Sequence, residues 1–579
     1  MYHPTAVGSV TLVPQRFVSQ SRGLFLVWLT ATAFIAAGPS SAVAQSSPTN
    51  NRQPVTHQHF NGVEVPLTQS DEGVVSAGNF RNPPSPICST TTSSATNVNT
   101  DCEVIRHNET TIAINPTNPL NQIGSANDQQ IRLTSGGTSY MTRYARAHVT
   151  FDGGMTWTTY PINYNGYTQT ADPAVAFDAD GTAYLATVGA KFSQNSSGIG
   201  SATAPDIIVV RSSDGGRTWT NPVRVASGSG SPAKGSPGVV NDKDYIAAWG
   251  HGNAIVTWTV FNQGIHGSYI SSPIFASVTH DGGKTWSAPT EISGSAAFCI
   301  GAQGGTKCDQ DQFSVPAVAA DGSIYVAFEN TPDTFPGCPN GCRDQYLVVK
   351  VDSTTGARIA GPYQVATIYD GITDYPINID GRLTYHDSEF RSNSGGNIAA
   401  DPTNANHLTV IWSDMRNSTL PAPSDPYSAT TNSDVIVSQS FDGGALWSAP
   451  VALIASGDQF QPWGTYDASG KLRIGYYDRS YDAANHMYGY TLATETSPGT
   501  LTFLTTQLTT VLSDPTKNTR WFSVITVNPS FPHPTTFLGD YSGISSLNGT
   551  ATLWTDMRNN VSFAGRSGAG EDAFYAAAP

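Results

Sequence analysis

"VTFDGGMTWTT" occupies residues 149–159, and the chain spells nearly the same phrase three more times: "VRSSDGGRTWTNP" at 210–222, "VTHDGGKTWSAP" at 278–289 and "SQSFDGGALWSAP" at 438–450. The shared pattern is Ser/Thr-x-Asp-x-Gly-x-x-Trp. Four fixed positions of this kind match by chance roughly once in tens of thousands of starts at average residue usage. The chemistry of the phrase is that of a tight turn. Asp152, Asp214, Asp281 and Asp442 can accept turn N–H groups. The glycine that follows supplies a positive φ without a Cβ penalty. Trp157, Trp219, Trp286 and Trp447 then bring a large ring to bury between neighbouring elements. This reading makes the phrase a stabilising device.

The aspartates are 62, 67 and then 161 residues apart, so a decayed copy belongs in the last gap. "YLVVKVDSTTGARIAGP" (346–362) supplies it, with a leading strand and an Asp but no Trp. Each copy follows two further phrases. One is a short strand of small residues ending in a turn, as in "PAVAFDADG" (173–181) and "GNIAADPTN" (396–404); the other is an apolar strand, as in "AIVTWTV" and "LTVIWSDMRN". One unit therefore reads strand, turn, strand, loop, strand, Asp-Gly turn, strand: a four-stranded antiparallel meander. Units begin near 110, 172, 243, 315, 397, 460 and 537. The last lacks a fourth strand before the chain ends, and "FNGVEVPL" (60–67) is the expected donor from the N-terminal side. Repeated four-stranded sheets arranged radially make a β-propeller, which leaves only short, protected edges. The fold class is thus all-β, with seven blades favoured over six.

The repeated phrase resembles the Asp box, or BNR repeat, of sialidases and sialidase-like β-propellers, over residues 106–579. The resemblance implies that the boxes lie between the third and fourth strands, on the face away from the active site. It also implies a secreted glycoside hydrolase of exo-α-sialidase type acting on terminal acidic sugars. In that family three arginines hold the substrate carboxylate, a Tyr–Glu pair is the nucleophile and an Asp is the acid/base. The family's Phe-Arg-Ile-Pro motif is approached by Phe80-Arg81-Asn82-Pro83, which differs at the third position and stands ahead of the first unit. The competing functions are a non-catalytic glycan- or protein-binding propeller and a polysaccharide lyase.

Loops of a meander alternate between faces, so the face opposite the boxes collects the loops after second strands and before first strands. After second strands come Asn127-Asp128, Glu329-Asn330, Asp414-Met415-Arg416, Asp478-Arg479 and Asp556-Met557-Arg558. Before first strands come Arg106-His107-Asn108-Glu109, Asp172, Asp242-Lys243-Asp244, Asp311-Gln312, Arg391, Asp458-Gln459 and Asp540-Tyr541. Arginine forks suit a sugar carboxylate, and carboxylic acids beside them can protonate a leaving oxygen. Arg391, Arg416, Arg479 and Arg558 are the candidate substrate contacts. Tyr541 is the candidate nucleophile, and Glu329, Asp414, Asp478 and Asp556 are candidate acids or bases. The Asp-Met-Arg triplet recurs in two units, which also fits a structural tie between blades.

Composition agrees with an exported all-β protein. Only 13% of residues are charged, while Gly (55) and Pro (37) are plentiful enough to supply the turns. The net charge of −15, with no Lys/Arg run, excludes a nucleic-acid binder of ordinary type. Arg16 and Arg22, the apolar stretch Leu24–Ala37 and the small residues Ala42-Val43-Ala44 read as a signal peptide over 1–44. That stretch is too short to span a bilayer, so the mature protein is expected to be secreted or periplasmic, without a membrane span. Residues 45–105 are rich in Ser, Thr, Asn and Pro and read as a partly disordered arm. Closeness in sequence favours the pairs Cys88–Cys102, Cys299–Cys308 and Cys338–Cys342. No zinc, phosphate-loop or dinucleotide motif appears, so no metal or cofactor is expected. "DADG" (178–181) has the start of a calcium loop but no downstream Glu and reads as a hairpin, and His251 stands alone as a structural residue. A glycan or glycoconjugate is the expected partner of a monomer.

Overall fold

The computed structural model describes residues 57–60, 63–66, 88–89, 97–101 and 106–579, apart from 134–138, 195–199, 231–236, 266–267, 333–342, 372–373, 379–382, 389, 419–428, 517–536 and 564–565. Seven antiparallel sheets follow one another along the chain, and each contributes one blade of a β-propeller. The first strands of the blades, which line the axis, are Arg106–Ile114, Gln169–Phe177, Gly238–Trp249, Asp311–Val318, Asn397–Ala400, Gln459–Tyr466 and Gly543–Ser546. These starts fall within a few residues of those read from the sequence. Small side chains on these strands admit the next blade. A Cβ on Gly543 would come within 2.9 Å of the backbone of Ile112 in the first blade.

Among the described residues apolar clusters fill the joints between blades, the largest running from Val315 through Phe460 to Trp554. Ile123 and Val149 of the first blade meet Leu185 and Ile208 of the second. At the other end of the chain Ile112 and Trp157 meet Leu553 and Tyr575, which closes the ring between the last blade and the first. The seventh blade takes its fourth strand from the N-terminal side, as expected, but from a different place. Val98–Asn99 pairs with Phe574 and Tyr575, and Thr100 N donates to Ala573 O. The stretch expected to do this instead forms a hairpin, with Val63–Pro66 paired to His57–Phe60. The first blade also gains an outer strand, Cys88–Ser89, against Trp157 and Thr156.

The Asp-Gly turns join third to fourth strands, beside the turns joining first to second strands. Gly282 N donates to Gly252 O, and Gly443 N to Asn406 O. The repeated pattern is explained bond by bond. Asp152 Oδ1 accepts from Thr156 N at 2.9 Å and from Thr150 Oγ1 at 2.8 Å, and Thr150 Oγ1 in turn accepts from Gly154 N at 2.9 Å. Asp214, Asp281 and Asp442 repeat these contacts, and Asp352 in the decayed copy accepts from Thr354 N and Thr355 N. Gly154 holds φ at +96°, and a Cβ there would strike the Tyr575 ring. The tryptophans differ from expectation in burial. Trp157 is fully buried, under the extra strand and against Tyr575 with centroids 5.0 Å apart, whereas Trp219, Trp286 and Trp447 are half-buried, with no strand paired outside their fourth strands among the described residues.

Cys299 and Cys308 are disulfide-bonded, as their spacing suggests. The signal segment, Phe80–Pro83, the Cys88 side chain, Cys102, Cys338 and Cys342 lie outside the described residues. No helix of the described residues is long and apolar enough to cross a membrane.

Candidate functional site

Five first strands carry the same irregularity at the end facing away from the Asp-Gly turns. The ladder slips between Asn108 and Thr111, Ala171 and Ala174, Asp242 and Tyr245, Gln312 and Val315, and Phe460 and Trp463. Inside each bulge one non-glycine residue holds a left-handed φ: Glu109 (54°), Asp172 (57°), Lys243 (54°), Phe313 (55°) and Gln461 (46°). Such a conformation costs on the order of 1–3 kcal/mol per residue, and bulges re-aim side chains. Here they bring residues of separate blades together, which is possible only near the axis.

Lys243 is the hub. Its ammonium lies 3.1 Å from Glu109 Oε1, 3.3 Å from Asp172 Oδ2 and 2.5 Å from Asp540 Oδ2, and all four side chains are buried. Asp540 also receives a two-pronged fork from Arg391 and a bond from Asn393 Nδ2 at 2.9 Å. Gly539, at φ +99°, lets this segment lie against Glu109, where a Cβ would sit 2.5 Å from Glu109 N. Asn127 donates to Glu109 Oε2 and accepts from Asp172 N.

One lysine cannot keep three neighbouring carboxylates ionised. Burial and the charges of Asp172 and Asp540 push Glu109 well above the ordinary carboxylate range. Burial would raise Asp540 too, but Arg391 and Lys243 hold it well below that range. Asp244, next in sequence to the hub, is pushed well up by burial and by Asp172 and Asp242. Neither of its carboxyl oxygens has a hydrogen-bond partner among the described residues. It lines a cavity of about 20 Å³, room for roughly one water, together with Lys243, Tyr245, Phe313, Trp463 and Tyr541. Tyr245, Trp463 and Tyr541, from three blades, form an aromatic wall with centroids 5.1 to 6.3 Å apart.

Of the residues singled out from sequence, three belong to this centre. Arg391 forks onto Asp540. Tyr541 stands in the wall, its hydroxyl donating to Pro173 O at 3.2 Å; burial and Glu109 push its pKa well up, opposite to what a phenolate nucleophile needs. Glu329 is buried, with Oε1 unpartnered among the described residues, and burial with Asp370 and Asp540 raises it well above the usual range.

The other six are placed elsewhere, five of them in ties to neighbouring blades or segments and Asp478 within its own blade. Asp414 accepts from Trp412 Nε1 and from Arg416 Nε and Nη2, and Arg416 reaches back to Thr367 O at the end of the fourth blade. Asp556 and Arg558 repeat this pairing with Trp554, and Arg558 Nη1 ties Asn97 of the closing segment to Thr510. Asp478 accepts from Thr491 Oγ1 and Ser480 N within the sixth blade. Arg479 is fully buried against Asp458, His386 O and Asn485 O, over the Phe390 ring. The four arginines therefore have four separate sets of partners.

Sequence reasoning passed over Glu109, Asp172, Lys243, Asp244 and Asp540 as individuals, although it placed their segments on this face. Aligning the first strands on their small residues sets Glu109, Asp172, Lys243, Phe313 and Gln461 in one column, which was the available signal.

No family model matches the chain, and no curated protein does. Solved structures resemble it in overall shape. A NanB sialidase from Streptococcus pneumoniae is 8% identical, with 82% of this chain and 94% of that one covered and a TM-score of 0.39. An ulvan lyase is 12% identical, over 69% of this chain and 80% of that one, with a TM-score of 0.39. An α-L-arabinofuranosidase of Fusarium graminearum is 12% identical, over 72% and 95%, with a TM-score of 0.35.

Proposed function

We propose that this protein is an exported glycoside hydrolase whose active centre is the buried carboxyl cluster around Lys243. The observation that carries the reading is Asp244, a buried, unpartnered carboxyl group on the wall of a cavity. Burial and the charges of Asp172 and Asp242 push it well above the ordinary carboxylate range, while Arg391 and Lys243 hold Asp540, on the same cavity, well below it. Neighbouring carboxyl groups driven to opposite protonation states are the requirement of glycosidic acid catalysis.

In this reading the wall of Tyr245, Trp463 and Tyr541 parts to admit a terminal sugar, since the cavity as it stands has room for about one water, and the sugar then stacks on one of the rings. Asp244 gives its proton to the glycosidic oxygen as the bond to the anomeric carbon breaks. The carboxylate side of the cluster, Asp172 and Asp540, faces the positive charge developing on the sugar ring. Water adds to the anomeric carbon and returns its proton to the carboxyl groups. Glu109 and Glu329 hold further protons within the same cluster.

The exo-α-sialidase version asks in addition for cations able to hold a sugar carboxylate. Lys243 and Arg391 are the cations at this centre, and a terminal acidic sugar would have to exchange with Asp540 for them. A neutral terminal sugar needs no exchange, so the geometry favours it.

The test is turnover on chromogenic glycosides carrying neutral sugars, uronates and sialic acid, with wild type, Asp244→Asn and Glu329→Gln. Hydrolysis by wild type that falls at least 100-fold in folded Asp244→Asn supports the reading. No turnover on any substrate by folded wild type contradicts it, and binding without turnover favours the glycan-binding alternative. Unsaturated products would favour the lyase. Export is tested separately by sequencing the N-terminus of the mature protein, expected near Gln45.

A further inference from the structure

A second buried cluster lies apart from the channel mouth, where the ring closes. It joins Asp101 of the closing segment to His107, Asp128 and His148, one from each of the first three strands of the first blade's sheet, and all four are fully buried. Their ligating atoms lie within 4.8 Å of one another. His107 Nε2 is 3.4 Å from Asp101 Oδ2 and 3.4 Å from Asp128 Oδ1. His148 Nε2 is 3.5 Å from Asp128 Oδ2 and 4.0 Å from Asp101 Oδ2.

These separations are long for charge-assisted hydrogen bonds, which fall near 2.7–2.9 Å. Three of the four are close to the edge of a tetrahedron of ligands about 2.0–2.1 Å from a central ion, which is roughly 3.4 Å, and the fourth is longer. The outer contacts are those that metal ligands require. His107 Nδ1 is 3.2 Å from Glu571 O, and His148 Nδ1 is 2.7 Å from Thr100 Oγ1, so the Nε2 atoms are the ones turned inward. Arg146 donates to Asp101 Oδ2 and Asp128 Oδ2, both at 2.5 Å. Asp128 Oδ1 accepts no hydrogen bond among the described residues and points to the imidazole side.

We infer that Asp101, His107, Asp128 and His148 bind one divalent first-row metal ion, Zn²⁺ by ligand type, and that this ion clasps the ring closure. Two imidazoles and two carboxylates gathered within 4.8 Å of one another suit zinc over magnesium or calcium, which take oxygen ligands in larger numbers. Four protein ligands and full burial make the site structural, with no position for substrate. Thr100, between the closing strand and Asp101, donates to Ala573 O of the seventh blade, so the ion would lock the N-terminal segment onto both flanking blades. The sequence hides the site because its ligands are 6, 21 and 20 residues apart, on different elements.

The experiment uses the full mature chain, purified without a metal-affinity step, loaded with Zn²⁺, freed of excess by dialysis and assayed for bound metal and melting temperature. The expected result is about one zinc per chain, a fall of roughly 5 °C in Tm on stripping with a strong chelator, and recovery with Zn²⁺ but not Mg²⁺. Folded His148→Ala and Asp128→Asn should lose the equivalent of zinc. Less than about a tenth of an equivalent in wild type, or a Tm indifferent to stripping, would overturn the inference. So would a full equivalent retained by the folded variants. The wild-type measurements decide the matter even if both variants fail to fold.

Discussion

Replacing Lys243 by Met removes the single cation that three buried carboxylates share. Methionine matches the length of the lysine stem, so the change is largely one of charge. Asp540 would keep Arg391 and Asn393, and Glu109 would keep Asn127. Asp172 would lose the ammonium now 3.3 Å away, with its carboxylate still buried. Breaking a buried pair in this way costs about 3–5 kcal/mol. For a chain of this size the denaturant slope exceeds about 3 kcal/mol/M, so the urea midpoint should fall by roughly 1 M at pH 7. The sign of the pH dependence follows from Asp540, whose folded pKa is depressed. Its contribution is present above the unfolded value near 4 and is lost as pH falls through the folded value. The gap between wild type and Lys243→Met should therefore be full at pH 7 and narrow below pH 4. A variant with the wild-type midpoint at pH 7, or a gap that widens in acid, would refute the argument that Lys243 holds the cluster's charges.

The other predictions concern the frame. Trp157→Ala should cost about 3–5 kcal/mol, and Trp219→Ala, which removes a half-buried ring, clearly less; equal losses by urea unfolding would contradict the burial argument. Burial slightly raises Asp281, but hydrogen bonds from Thr285 and Thr279 bring it down from 3.8 to about 2, and Asp152, Asp214 and Asp442 are lowered by equivalent bonds. The stability these turns give is therefore present above pH 3.8 and lost as pH falls through 2, and a Tm that does not drop across that window would count against it. Arg558→Ala should destabilise by about 3 kcal/mol by leaving Asp556 without its fork, with kcat unchanged in the folded fraction; a selective loss of turnover would return Arg558 to the active site.

What the sequence disclosed follows from what recurs in it. The Asp-Gly turn, which recurs in four blades with a decayed copy in a fifth, and the small-residue strand together give the seven blades and their order. Cys299 and Cys308 were close enough in sequence to pair on spacing alone. The closing strand escaped because Val98–Asn99 is too short to show alternation, whereas the longer alternating stretch at 60–67 attracted the assignment. The Asp-Met-Arg triplets looked chemical and proved to be forks that tie their blades to neighbouring segments, as their recurrence hinted. The channel mouth was hard to read for the opposite reason. Five blades each contribute one residue of a different type, Glu109, Asp172, Lys243, Phe313 or Gln461, from a bulge that sequence patterning does not reveal.

The most direct test of the proposed centre is a crystal structure of the protein with a bound oligosaccharide, using the inactive Asp244→Asn variant and a substrate that wild type cleaves. The account predicts the terminal sugar on the aromatic wall of Tyr245, Trp463 and Tyr541, with its glycosidic oxygen within hydrogen-bond reach of residue 244. A sugar seated on the Asp-Gly turn face, or at the channel mouth with its glycosidic oxygen beyond reach of residue 244, would contradict it.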